Sequence, residues 1–174
     1  MTTHEPHTVR LHRVLRAPAE RIYRAFLEPA AMVKWLPPHG FVGEVHEMDA
    51  RVGGRHRMSF RNFGTGSAHS FGGTYVELVP GERIRYTDRF DDPNLEGEMA
   101  VTIELRPVAC GTDLRITQEE PATAHDPRRV LLRRLAESLE LLAKLVEPDP
   151  GWCVSTILCS RRCVSTVLRS PDGA

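Results

Sequence analysis

Apolar and polar residues alternate with a period of two along most of this chain, and departures from that period mark where helices lie. Thr8 to Arg16 alternates closely enough to form a strand with one face on a core. Pro18 suits the first position of the following helix, because its missing N–H would be unpaired there anyway. Ile22, Tyr23, Phe26 and Leu27 recur at helical spacing, and Pro29 stops that helix. A second short helix, Ala30 to Trp35, is closed by Pro37-Pro38.

From Phe41 to about Glu119 the period returns to two, in short runs divided by turn residues. The runs are Phe41 to Met48, Arg55 to Phe63, Ser70 to Leu78, Arg83 to Phe90, Glu98 to Arg106 and Thr112 to Gln118. Short turns between successive strands favour an antiparallel meander. Pro127 to Glu147 is the last periodic segment. Leu131, Leu135, Leu139, Leu142 and Val146 make one stripe of a helix, widened by Leu132, Ala143 and Leu145. A sheet so strongly alternating must bury one face, and this long helix is the large apolar cover available.

The pattern predicts one α+β domain over 8–150: a curved antiparallel sheet of about seven strands wrapped on a long C-terminal helix, with two short helices after the first strand. Residues 1–7 read as a flexible N-terminus and 151–174 as a cysteine-containing tail, in which the tetrapeptide CVST begins at Cys153 and again at Cys163.

Period-two counting also assigns faces. His56, Met58 and Phe60 face in on one strand; Ile84, Tyr86, Asp88 and Phe90 on another; Met99, Val101, Ile103 and Leu105 on a third. His56 and Asp88 break the apolar rule of that inner set. A buried carboxylate without partners costs several kcal/mol, so Asp88 calls for a hydrogen-bond partner, water or a polar ligand group.

Composition narrows the classes of function. Lys plus Arg number 23 and Asp plus Glu number 23, so the formal net charge is zero, without the positive excess that nucleic-acid binding needs. Arginine dominates the basic set, with Lys34 and Lys144 the only lysines. The N-terminus lacks the apolar core of a signal peptide, and no stretch approaches the roughly 18 apolar residues of a membrane span. A cytoplasmic chain is expected. Cys110 stands alone in the body, which is no disulfide framework. Cys153, Cys159 and Cys163 lack the paired spacing of a structural zinc site, so neither metal nor cofactor is expected.

Several motifs carry a family resemblance. Ala17-Pro18 through Trp35-Leu36-Pro37-Pro38, Arg51-Val52-Gly53-Gly54, Met58-Ser59-Phe60, Ser70-Phe71-Gly72-Gly73-Thr74-Tyr75, Pro80-Gly81-Glu82-Arg83-Ile84, Tyr86-Thr87-Asp88 and Gly111-Thr112-Asp113-Leu114 occur in order. Together they resemble the activator-of-heat-shock-protein-ATPase homologue-like proteins, within the START and polyketide-cyclase (Bet v 1-like) superfamily of helix-grip folds. The resemblance spans roughly residues 8 to 150. Three places depart from it: Arg134-Leu135 stands where relatives carry Gly-Trp, Glu120 to Arg133 is arginine-rich, and the tail has no counterpart.

The resemblance implies an apolar cavity between sheet and long helix, taking a lipid, polyketide or aromatic metabolite. Its expected lining is Trp35, Phe41, His56, Met58, Phe60, Phe71, Tyr75, Tyr86, Asp88, Phe90, Met99, Leu135 and Leu139. Ordinary core packing is the plainer account of any one of these apolar residues. An enzyme ranks below binding; its general base and orienting carboxylate would come from His56 with Asp88, or His69 with Glu77. A co-chaperone-like interaction module ranks third, with Arg128 to Arg134 as its candidate surface. A homodimer is left open. Gly53-Gly54 and Gly72-Gly73 lack the lysine and helix of a P-loop and read as turns or bulges of a bent sheet.

Overall fold

The structure, a computed structural model, describes residues 7–92, 97–120 and 128–147, with the backbone alone at 7, 120 and 128–135. The tail, the Cys153, Cys159 and Cys163 thiols and the arginine-rich segment's side chains lie outside the described residues.

The described chain runs β1 (His7–Leu15), α1 (Ala19–Ala25), α2 (Pro29–Trp35), β2 (Phe41–Met48), β3 (Arg55–Asn62), β4 (Ala68–Val79), β5 (Arg83–Phe90), β6 (Met99–Val108), β7 (Gly111–Glu120) and α3 (Arg128–Val146). The strands form one antiparallel, curved sheet in the order β1-β7-β6-β5-β4-β3-β2. Strands two to seven are therefore a continuous meander, and β1 joins it beside β7. The architecture is α+β and agrees with a helix-grip arrangement.

Two helix starts differ from those the sequence predicts, both at proline, and α1 ends at Ala25, ahead of Phe26, Leu27 and Pro29. Pro18 is extended (ψ 148°) and caps α1 from outside, its carbonyl accepting the Arg21 and Ile22 N–H groups. Pro29 opens α2 rather than ending α1, because a residue without an N–H is least costly in a first turn.

The core lies on the concave face. Met58, Ile84, Ile103, Leu114 and Leu142 are wholly or almost wholly buried there, and each such side chain contributes about 1.5–3 kcal/mol of transfer free energy. Leu139, Leu142, Ala143 and Val146 carry the apolar stripe of α3 into this core, whereas Leu145 points outward at 38% exposure. Hydrogen bonds tie α3 and Glu147, just after it, to the first third of the chain. Ser138 Oγ donates to the Leu36 carbonyl (2.7 Å), Arg21 to the Val146 carbonyl (3.0 Å), and the Arg16 N–H to Glu147 (3.1 Å).

The convex face carries charge instead. Glu77 pairs with Arg83 and Arg85, Arg83 with Glu104, Glu104 with Arg106, and Asp113 with both Arg115 and His12. Oppositely charged rows on neighbouring strands cover the outside of β4, β5, β6, β7 and β1.

Gly72 and Gly73 sit in the middle of β4, not in a turn. The register slips lie elsewhere, at His46 in β2 and at Val76 in β4. A Cβ on Gly72 would stand 2.4 Å from the His56 carbonyl oxygen, and one on Gly73 would stand 1.9 Å from that of Thr87. The two glycines let β4 approach both neighbours more closely than any other residue permits.

Candidate functional site

The concave face divides into an apolar end and a polar end. At the apolar end Phe71 stacks edge-on to Phe60 (4.8 Å between centroids) and tilts against Phe90 (5.7 Å). Met58 is fully buried beside them, while Phe60 and Phe90 keep part of their surface exposed. Phe41 enters from β2 opposite Asn62, on the same face.

The polar end is built around His56 on β3 and Asp88 on β5, which the sheet order separates by the whole of β4. His56 is opposite Gly73 in the register. With no side chain at that point, the imidazole reaches across β4 until Nε2 lies 3.6 Å from Asp88 Oδ1. The side chains are 5% and 12% exposed. The Arg89 N–H also donates to Oδ1 (3.1 Å).

Tyr75 and Tyr86, opposite one another on β4 and β5, wall the imidazole with ring centroids 5.1 and 5.2 Å from it. The other ring nitrogen, Nδ1, is buried and has no hydrogen-bond partner among the described residues. Such an atom forgoes about 1–3 kcal/mol unless something meets it.

Electrostatics follow from the burial. Burial raises the Asp88 carboxyl above its ordinary range, and the hydrogen bond and charge of His56, then the Arg89 N–H, pull it part of the way back. Burial first, then the charge of Asp88, pushes the Tyr75 hydroxyl up to about 12, and the same two causes raise Tyr86. Both tyrosines are therefore neutral hydroxyls at any physiological pH.

The structure thus brings together His56, Tyr75, Tyr86, Asp88 and Met99; Met99 is opposite Asp88 on β6. Two further residues belong to this end that the sequence pattern does not single out. Tyr23, from α1, is close enough to raise Tyr75; its helical spacing beside Ile22 marks it only as core. Gln118, on β7, is 5% exposed and its amide donates to Met99 Sδ (3.1 Å). Extending the period-two count through Leu114 and Ile116 places Gln118 on the inner face, which is the signal that could have found it.

Other expected lining residues stand elsewhere or do other work. Trp35 is 2% exposed in the joint between α1 and α2, its indole N–H spent on the Ala25 carbonyl (2.8 Å) and its ring set edge-on to Phe26. Leu139 is buried on α3, and the Leu135 side chain lies outside the described residues. His69 and Glu77 do not meet. They lie eight positions apart on β4, roughly 26 Å of extended chain, with His69 exposed and Glu77 engaged by Arg83 and Arg85. That pair is excluded as a base and its orienting carboxylate.

Among the described residues no cluster of three or more His, Cys, Asp or Glu is arranged to hold a metal, and no helix is long and apolar enough to cross a membrane. A cleft of about 460 Å³ opens away from the concave face, where α1 begins near the β4–β5 turn. Of its charged lining, Arg83, Glu104 and Arg106 are already paired with one another.

Comparison with known proteins agrees with this architecture. The family model described as "Activator of Hsp90 ATPase homolog 1-like protein" matches residues 16–147. A crystal structure of a protein from Chromobacterium violaceum is 60% identical, with TM-score 0.78, covering 82% of this chain and 98% of that one. A structure from Rhizobium loti is 25% identical (TM-score 0.67; 80% and 96% covered). One from Rhizobium leguminosarum, at 23% identity and TM-score 0.69, shares the fold (80% and 93% covered). No curated protein matches the chain.

Proposed function

From the premise that the chain belongs to the activator of Hsp90 ATPase homolog 1-like family, we propose that it binds a small, largely apolar molecule between the concave face of the sheet and α3. The ligand's apolar body would lie along Phe60, Phe71 and Phe90, and its one polar group would meet His56 and Asp88.

The observation that carries this reading is the buried, unpartnered Nδ1 of His56 beside a buried carboxyl. A folding domain gains nothing from such a pair, which is less favourable than packed apolar side chains of similar volume. A cavity built for a ligand uses a few polar groups of this kind to fix orientation within apolar walls. A cytoplasmic location and a monomer or homodimer are compatible with the same role.

Native mass spectrometry of protein purified from its own host tests the proposal. A retained, mostly apolar molecule that is lost from a His56→Phe variant is the expected result. Consistently empty protein, together with no thermal shift from a panel of hydrophobic ligands, overturns it.

A second reading draws on the same geometry. His56 and Asp88 sit within reach on one face, so a base oriented by a carboxylate is available to a bound substrate. Turnover of a bound ligand, abolished by Asp88→Asn with binding retained, would favour this reading over simple carriage.

A further inference from the structure

On the convex face, β3, β4 and β5 carry a pattern that the rest of the sheet does not repeat. Alternation turns Arg55, Arg57, Ser59 and Arg61 of β3 outward, and Arg85 and Arg89 of β5. Between them β4 turns out the small residues Ser70, Gly72 and Thr74. Register fixes how these rows stand. Gly72 has Arg57 opposite it on β3 and Arg89 opposite it on β5, and Thr74 has Arg55 opposite it. The result is a shallow trough: a floor of hydroxyls and a glycine between two arginine walls roughly 10 Å apart, which is two strand spacings. From Arg55 to Arg61 it runs roughly 20 Å.

The walls hold more positive charge than their neighbours cancel. Arg57 pairs with Asp91, and Arg85 with Glu77 at 3.8 Å. Arg55, Arg61 and Arg89 are exposed, and among the described residues their guanidinium groups have no ion-pair partner. The next outward row, on β2, is acidic: Glu44 and Glu47 stand opposite Ser59 and Arg57. Those carboxylates border the trough and confine an anion to the strip above β4.

The spacing says what kind of anion fits. Same-face side chains along a strand recur about every 6.6 Å, and an extended peptide lying along β4 repeats its own alternate side chains at that interval. Guanidinium groups hold carboxylates in a planar fork. Single-stranded nucleic acid would also need aromatic faces for its bases, and the rings of Phe60, Phe71, Tyr75, Tyr86 and Phe90 on these three strands all belong to the concave face.

We infer that the convex trough over β4 docks an extended segment of a partner protein rich in aspartate or glutamate, its carboxylates held by Arg55, Arg61 and Arg89. The role is separate from ligand binding on the concave face, and neither depends on the other.

Fluorescence anisotropy of a fluorescein-labelled heptaglutamate peptide with the full chain tests this, with heptaglutamine as control. The glutamate peptide alone should bind, and its affinity should fall as salt screens the contacts. Arg55→Gln, Arg61→Gln and Arg89→Gln should each weaken it about two- to fivefold, the worth of one exposed ion pair. Arg24→Gln, on α1 away from the trough, should leave it unchanged. In the unsubstituted chain the ¹⁵N signals of the Arg55, Arg61 and Arg89 side chains should move on adding the glutamate peptide. Equal behaviour of the two peptides overturns the inference. So does a loss in Arg24→Gln as large as in the trough variants, which would mark attraction by charge at large. Tighter binding of a labelled oligothymidylate of equal charge would overturn the assignment to an acidic peptide.

Discussion

His56 reaches Asp88 over the back of Gly73: two side chains on strands that are not neighbours meet at 3.6 Å because the strand between them has no side chain at that point. Gly73→Ala tests the relationship directly. Its methyl would stand 1.9 Å from the Thr87 carbonyl oxygen and 3.1 Å from Asp88 Cα, both backbone atoms that cannot turn away. The variant is expected to lose about 3 kcal/mol or more, read as a fall in the midpoint of urea unfolding by circular dichroism. A midpoint within error of the parent would show that β4 has room there.

Asp88 carries a stability signature against pH. Its carboxyl is raised in the folded chain from an ordinary value of 3.8, so the folded state holds a proton that the unfolded state releases. Stability is then lost as pH rises from 3.8 through the raised folded value. Asp88→Asn removes the cost of ionising the buried carboxyl. The variant should melt a few degrees above the parent at pH 7, a gain of about 1 kcal/mol. The difference should vanish below about pH 3.8. A variant less stable at pH 7 than at pH 4, relative to the parent, would reverse the sign assigned here.

Ile103 and Glu104 are adjacent in sequence and opposite in consequence. Ile103 is fully buried on the concave face, while Glu104 sits in the exposed charge rows between Arg83 and Arg106. Ile103→Ala should cost about 2–5 kcal/mol through lost transfer energy and the cavity left behind. Glu104→Gln should cost under about 0.5 kcal/mol, because an exposed ion pair is screened by water and salt. Chemical denaturation of both variants in one buffer makes the comparison; similar losses would mean the two faces were assigned wrongly.

Trp35→Phe keeps the aromatic packing against Phe26 but removes the indole N–H that donates to the Ala25 carbonyl. A loss of about 1–3 kcal/mol is expected, the range for leaving a buried acceptor unmatched. Binding of a hydrophobic ligand should be unchanged, since the ring belongs to the α1–α2 joint. A large loss of binding with stability intact would return Trp35 to the ligand site.

Much of the fold is legible in the residue pattern alone. Turn residues bound the strands of the meander, and the strict alternation in Arg83–Phe90 puts Asp88 on the same side as Ile84, where it lies. Proximity is not legible. Period-two counting assigns a face but not a neighbour, so His56 with Asp88 and His69 with Glu77 look alike until register separates them.

Two features of the pair depend on residues that carry no pattern of their own. Gly73 acts by what it lacks, and Tyr23 arrives from a helix whose packing angle no spacing encodes. Leu145 departs from its expected place for a related reason: a stripe read from hydrophobicity alone is wider than the arc that touches the sheet.

The position of β1 sets a timetable for the chain. Every other strand pairs with one that precedes or follows it directly, but β1 waits for β7, roughly a hundred positions later. At a synthesis rate of about 5–20 residues per second, some 5 to 20 s pass between the emergence of the two strands. Val9, Leu11 and Leu15, buried at the end, spend that interval uncovered. For a nascent chain the hazard is concentrated in β1, and the last strand of the sheet to be made is the one that ends it.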